Sequence, residues 1–460
     1  MKKKVLAFVM AAAMVFSLAA CGGSSNAGSD SSNSDSSASD SSDSSSTATG
    51  AAFKLGGTAP LTGGAAIYGN AVKNGAQIAV DEINAEGGAI QFELKYEDDQ
   101  HDAEKAVNAY NSLKDWGMQI SLGSVTTKPC EATSVLNNED RIFGLTPSAS
   151  SEATTEGKDD MFQMCFTDPN QGSASADYIS EKGLATKVAV IWKNDDVYSK
   201  GIHDTFTAEA AVKGIEIVSD TTFADGNDTD FSVQLADAQS KGAELVFLPM
   251  YYQPASLIFA QAKSMGYAPD WFGVDGMDGI LTLDGFDTSL AEGVMLLTPF
   301  NADSSDERTQ AFVQKYQEQY GEVPNQFAAD AYDCVYAYKQ ALEAAGATPD
   351  MDAATLCDLM IQQFTSMTFD GLTGTGMTWD TNGRVSKDPK GMVIKDGAYA
   401  GLDYSDSFIP AEGRYPAPPV SGFQRVSEKY RHSPVFFRYA LAPPMRPFPL
   451  PNSTIRGVCQ

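Results

Sequence analysis

Histidine is scarce: His101, His203 and His432 are the only three in 460 residues. Most of the chain therefore lacks the commonest general base and metal ligand. The six cysteines, Cys21, Cys130, Cys165, Cys334, Cys357 and Cys459, are sparse and show no C-x-x-C spacing, so neither a zinc site nor a disulfide framework is expected. There is no G-x-S-x-G, no phosphate loop, and no full calcium-loop spacing around Asp225, Asp228 and Asp230. Positive charge is also short: 32 Lys and Arg face 60 Asp and Glu, for a formal net charge of −28. That argues against nucleic acid, which needs a basic face, and against peripheral binding to anionic lipid. Long apolar runs are missing too. The best of them, Val5 to Ala20, falls short of the roughly 20 residues a membrane span needs.

What is present begins with Lys2, Lys3 and Lys4 ahead of that run, the layout of an export signal. The run ends Leu18-Ala19-Ala20-Cys21, which resembles the lipobox of bacterial lipoproteins. The resemblance implies a signal peptide over 1–20 and lipid on Cys21 as the first mature residue. Residues 22–50 contain fourteen Ser, four Asp and no basic residue, a composition that buries almost nothing. Residues 21–52 therefore read as a lipidated cysteine and a disordered tether, with a coil reach of about 30 Å. The expected location is extracytoplasmic, at the cell membrane through the lipid.

At the other end the charge reverses. Residues 421–460 carry six Lys/Arg and one Glu, so the last forty residues hold +5 and the first 420 hold −33. The stretch HSPVFFRYALAPPMRPFPLP is rich in Pro and aromatics. Residues 416–460 read as a disordered or non-native tail and are set apart from the fold.

Between these ends strands and helices alternate. FKLGGTA reads as a strand. Residues 65–86 read as a helix with Val72, Ala76, Ala79 and Ile83 on one face and Gly87-Gly88 as its stop. Strand QFELKYEDD precedes a helix capped by Asp102; MQISLG precedes a helix from about Pro129; RIFGLTP and MFQMCFT follow as strands. A second series runs TKVAVIW, helix, IEIVSD, helix, AELVFLPM, helix, DWFGVD, VMLLTPF. Helical patterns then cover about 306–320, 325–346 and 352–364, and short strands near MTWD and GMVIKD close the series. Such alternation implies parallel sheets covered by helices on both faces, which bind ligands at the carboxyl ends of their strands.

The residues at those ends differ between the two series. Thr127 and Ser148 to Ser151 offer small hydroxyls in the first. Tyr198, Tyr251, Tyr252 and Asp275 stand in the second. A ligand with both a carboxylate and an ammonium would suit them: hydroxyls and a helix N-terminus for the first, a carboxylate for the second. Equally, Ser and Thr after strands serve as helix caps, and Asp before Gly serves as a turn residue.

Residues 53–410 resemble the type I periplasmic binding proteins that serve branched-chain amino acid ABC importers. The stretches that carry the resemblance are PLTGGAAIYGNAVKNGAQIAVDEINAEGG, KYEDDQHDAEKAV, LTPSASSEATTEG, FQMCFTDPNQG, NDDVYSKG, TDFSVQL and FVQKYQEQYGEVPNQFAADAYD, in family order. The resemblance implies an α/β fold of two doubly wound parallel-sheet lobes joined by three crossings, near FTDPN, LTPF and GTGMTW. Lobe 1 would comprise 53–168 and 301–374, lobe 2 169–300 and 375–415, with the ligand between them. It places Thr127, with Thr126 as the alternative, on the ligand carboxylate, and Ser148 and Ser150 in the next loop. It places Tyr68, Tyr198, Tyr251, Tyr252 and Phe327 around the ligand. Asp275, often Glu elsewhere in the family, would take the ammonium. Family members carry a similar acidic strand end, so EDDQHD with His101 is not read as a metal site.

The expectation is therefore a binding protein, not an enzyme: a monomer with no cofactor and no metal. It would pass an amino acid, branched-chain or a near relative, to an ABC permease with its ATPase subunits. The alternatives are a binding lobe that feeds a membrane sensor, an enzyme on the same scaffold and, more remotely, a chaperone-like or adhesive lipoprotein.

Overall fold

The computed structural model describes residues 51–402. The expectations for the signal peptide, Cys21, the tether to Gly50 and the tail lie outside them. Two sheets are seen. The first joins β1 (Phe53–Ala59), β2 (Phe92–Asp98), β3 (Ile120–Ser121), β4 (Gly144–Thr146) and β5 (Met161–Gln163). Its order is β2-β1-β3-β4-β5, and every pair is parallel. The helices of this lobe are α1 (Ala66–Glu86), α2 (Ala103–Trp116) and α3 (Thr127–Asp140).

The second lobe contains α4 (Asp168–Glu181), β6 (Lys187–Lys193), α5 (Val197–Lys213), β7 (Glu216–Phe223), α6 (Ser232–Ser240), β8 (Leu245–Leu248), α7 (Tyr252–Met265), β9 (Asp270–Gly273) and β10 (Met295–Thr298). The chain then returns to the first lobe for α8 (Glu307–Tyr320), α9 (Gln326–Ala345) and α10 (Ala353–Phe364), and ends in the second sheet with β11 (Lys390–Lys395) and β12 (Ala398–Gly401). That sheet runs β12-β11-β10-β9-β8-β6-β7. It is parallel through β10, but β11 and β12 join it antiparallel. This antiparallel edge is an addition to the expected parallel-sheet lobe, and β12 carries no strand signal in AYAG.

Each sheet therefore reverses its strand order beside its first strand, at β1/β3 and at β6/β8. Such a reversal parts two neighbouring loops and opens a crevice at the carboxyl ends. Apolar periodicity builds the support. Val72, Ala76, Ala79 and Ile83 of α1 are fully buried, and burying a side chain of valine or isoleucine size is worth about 1.5–3 kcal/mol. Gly75 lets α1 approach α9, since a Cβ there would stand 2.0 Å from the Ala328 carbonyl oxygen.

The chain crosses between β5 and α4 and again between β10 and α8. The third falls later than 374–379. Trp379 Nε1 donates to the Gln163 carbonyl at 2.8 Å, and Gln163 N–H to the Gly383 carbonyl at 2.8 Å. Residues 379–383 thus still belong to the first lobe beside β5, and MTWD makes isolated bridges rather than a strand. The chain passes over only after Val385, reaching β11 at Lys390.

Candidate functional site

The loops at the two order reversals face each other across one pocket of about 240 Å3, with room for roughly one water-sized sphere in this closed arrangement. Its walls are Tyr68, Val125, Thr126, Thr127, Ser148, Tyr198, Tyr251, Asp275, Gly276 and Phe327. Eight of the ten expected ligand residues are in that set.

The second lobe supplies the acid. Asp275 opens a short 3-10 turn after β9 and is 2% exposed. Tyr198 donates its hydroxyl to Asp275 Oδ1 at 2.6 Å. Gln326 Nε2 donates to the Asp275 carbonyl at 3.2 Å. No Lys or Arg among the described residues pairs with this carboxylate. Burial therefore dominates and pushes its pKa up to about 7, although the Tyr198 hydroxyl and the Gly276 N–H favour the charged form. Gly276 has to be glycine: a Cβ would stand 2.5 Å from the Tyr198 hydroxyl and 3.0 Å from the Met250 carbonyl oxygen.

The first lobe supplies donors and no charge. Helix α3 begins at Thr127, two residues earlier than the expected Pro129, so Thr127 is its first residue and Thr126 its N-cap position. The Thr127 hydroxyl lines the pocket and has no hydrogen-bond partner among the described residues. Ser148 donates its hydroxyl to the Val125 carbonyl at 2.5 Å, which ties the two loops of this wall together. The helix N-terminus adds partial positive charge to the same wall.

Aromatic rings close the sides. Tyr198 and Tyr251 stack at 4.8 Å, while Tyr68 meets Tyr251 edge-on at 5.4 Å and Phe327 at 4.7 Å. The Tyr68 hydroxyl donates to the Gly276 carbonyl at 2.5 Å, a buried bond from one lobe to the other. Burial keeps the Tyr68, Tyr198 and Tyr251 phenols well above their usual pKa, so they remain protonated donors.

This chain matches, over residues 52–398, the family described as periplasmic binding protein. It belongs to that family. Among its relatives, the Leu/Ile/Val-binding protein homolog 3 of Brucella melitensis is 30% identical over 67% of this chain and 83% of its own length. The Leu/Ile/Val-binding protein BraC3 of Rhizobium johnstonii is 29% identical over 66% and 82%. Two solved structures share the fold. A leucine-binding protein LivK of Thermotoga maritima superposes with TM-score 0.69 at 26% identity, covering 76% of this chain and 98% of its own. The branched-chain amino acid binding protein LivJ of Streptococcus pneumoniae, in complex with isoleucine, gives TM-score 0.69 at 28% identity, covering 76% and 99%.

Two expected residues of this periplasmic binding protein stand behind the pocket rather than in its wall. Tyr252 opens α7, and its backbone N–H donates to the Tyr68 hydroxyl at 3.2 Å while its ring packs on Tyr68 at 4.9 Å. Ser150 is fully buried, beside Asp168 at the start of α4. Burial holds the Asp168 carboxyl well above the usual range, and Ser150 is the side chain that favours its charge. Sequence reasoning missed Val125, Gly276 and Gln171, whose Oε1 accepts from the Asp275 N–H at 3.2 Å. It set His101 aside with the metal reading, yet His101 stands at the pocket edge on Thr126 and Tyr251. Among the described residues no group of His, Cys, Asp and Glu could hold a metal, and no helix is long and apolar enough to cross a membrane.

Proposed function

We propose that this chain is the extracytoplasmic, lipid-anchored solute-binding component of an ABC importer. It captures an amino acid, branched-chain or a near relative, between its lobes and hands it to a membrane permease. One observation carries the reading: a single pocket has opposed polar ends. A buried carboxylate without a cation forms one end. Hydroxyls and a helix N-terminus without a counter-anion form the other, and aromatic rings stand between. A zwitterion with an apolar side chain satisfies all three at once. Closing the lobes takes both ligand charges out of water, so each needs such a partner.

The relatives named for leucine, isoleucine and valine support this solute class, and a Pseudomonas aeruginosa relative named also for threonine and alanine supports the near relatives. The reading invokes no cofactor and no chemical step. Anchoring rests on Leu18-Ala19-Ala20-Cys21 and is checked by fatty-acid-analogue labelling, which Cys21→Ala should abolish.

Thermal unfolding with each protein amino acid in turn tests the capture. L-Leucine, L-isoleucine or L-valine should raise the midpoint, since ligand at 100 times its dissociation constant stabilises by about 2.7 kcal/mol. No shift with any amino acid would overturn the reading.

A further inference from the structure

Helix α3 starts without a side-chain cap. Thr126 holds the N-cap position in extended backbone, φ −101° and ψ 152°, yet its hydroxyl accepts no bond from the helix. Thr in that position ordinarily accepts from the amide two or three residues on. Pro129 has no N–H, so Lys128 is the amide a cap would take. Elsewhere Asp102, Thr167, Asp196, Asp306, Asn325 and Asp352 each cap their own helix. The Thr126 hydroxyl is instead 2.8 Å from His101 Nδ1.

His101 reaches it from a tight turn. Gln100 and His101 both adopt left-handed backbone, φ 51° and 60°, which residues with a Cβ seldom take and which persists where surroundings enforce it. Asp98 Oδ1 accepts from Gln100 N–H at 3.1 Å, and Asp99 Oδ1 from His101 N–H at 2.8 Å. The imidazole lies edge-on to Tyr251 of the other lobe at 5.5 Å. Burial, with Lys193 of β6 and Lys128 of α3, lowers its pKa to about 4 against the opposing pull of Asp225 and Asp102. The ring is therefore neutral at physiological pH.

We propose that His101 is a positioning residue: by holding the Thr126 hydroxyl it withholds the cap from α3 and leaves the Lys128 N–H for the ligand carboxylate. In either tautomer the hydroxyl keeps an acceptor lone pair, so the bond to Nδ1 acts by position: it holds the oxygen where it accepts nothing from the helix. The inference rests on the solute reading above for its ligand, but the capping claim is tested without one.

The test uses the full chain and three variants. His101→Ala frees the hydroxyl, and His101→Phe keeps a ring over Tyr251 but not the bond. In ligand-free protein both should slow hydrogen exchange at the Lys128 amide and leave the thermal midpoint unchanged or higher. Both should weaken L-leucine binding about tenfold, the scale of one hydrogen bond to a charged group. The double variant Thr126→Ala/His101→Ala should bind L-leucine as Thr126→Ala does alone, because His101 acts only through that hydroxyl. A residue that merely packs would lower stability and affinity together in His101→Ala and leave Lys128 exchange unchanged or faster; that result overturns the proposal. If wild type does not bind L-leucine, the solute reading fails for that ligand, and the Lys128 exchange still decides the capping claim.

Discussion

Two carboxylates in this protein are equally deep and differently served. Asp330 on α9 has a cation built in: Lys387 Nζ donates to its Oδ1 at 2.6 Å and to Thr373 Oγ1 at 2.7 Å, with the two charged side chains 0% and 1% exposed. Asp275 in the cleft wall has a tyrosine hydroxyl and no cation. Burial is the largest influence on both. It raises Asp330 to about 6, against the pull of Lys387, and Asp275 to about 7. The contrast separates two uses of a buried charge. The first is neutralised by the chain itself and ties α9 of the first lobe to the segment that crosses to the second. The other has no cation from the described residues, and on the proposed function the ligand's ammonium would supply one.

Breaking the built-in pair should give the largest effect. Lys387→Met strands Asp330, and removing one partner of a buried pair costs about 3–5 kcal/mol. Denaturant unfolding should show a much lower midpoint. Asp275→Asn strands no cation, so its midpoint should stay level or rise. Similar losses in both variants would erase the contrast. A smaller effect is expected on the opposite wall. Thr127→Ala removes one hydroxyl but leaves the helix N–H groups, so calorimetric titration with L-leucine should show a loss of about 1–3 kcal/mol, roughly 5-fold to 150-fold.

The smallest effect is pH dependence. The ligand-free Asp275 carboxyl is raised to about 7, and on the proposed function an ammonium would seat against its charged form. Affinity should therefore be complete above that pH and fall as pH drops through it. Between pH 8 and pH 6 the fall should be about tenfold, as one pKa unit is about 1.4 kcal/mol. In Asp275→Asn that dependence should vanish; a loss of affinity on raising pH would contradict the sign.

The contrast was only half visible in the sequence. Asp275 is legible because parallel sheets present ligands at their strand ends, a local signal that also picks out Thr127, Ser148, Tyr198 and Tyr251, whereas Tyr68 comes only with the family resemblance. The same rule overreached at Ser150 and Tyr252, one or two residues too far along their loops, where the chain turns behind the wall. Helices with strong periods, such as α1 with Val72, Ala76, Ala79 and Ile83, were legible almost to their ends. The stretch from Asp275 to Ala291 carries no period and forms short 3-10 turns. Long-range pairs left no local trace. Asp330 and Lys387 are 57 residues apart, and His101 and Thr126 are 25 apart. The late third crossing has the same origin, since Trp379 and Gly383 are held by β5, more than 200 residues earlier.

On the proposed function, Asp275 waits for the ammonium of an amino acid. Isothermal titration of L-leucine and of its des-amino analogue into wild type and Asp275→Asn tests it most directly. Truncating one partner of a buried charged contact costs about 2–5 kcal/mol, roughly 30-fold to several thousand-fold in affinity. The variant should lose that much for L-leucine and little for the des-amino analogue. Equal affinity of wild type and Asp275→Asn for L-leucine would contradict the account.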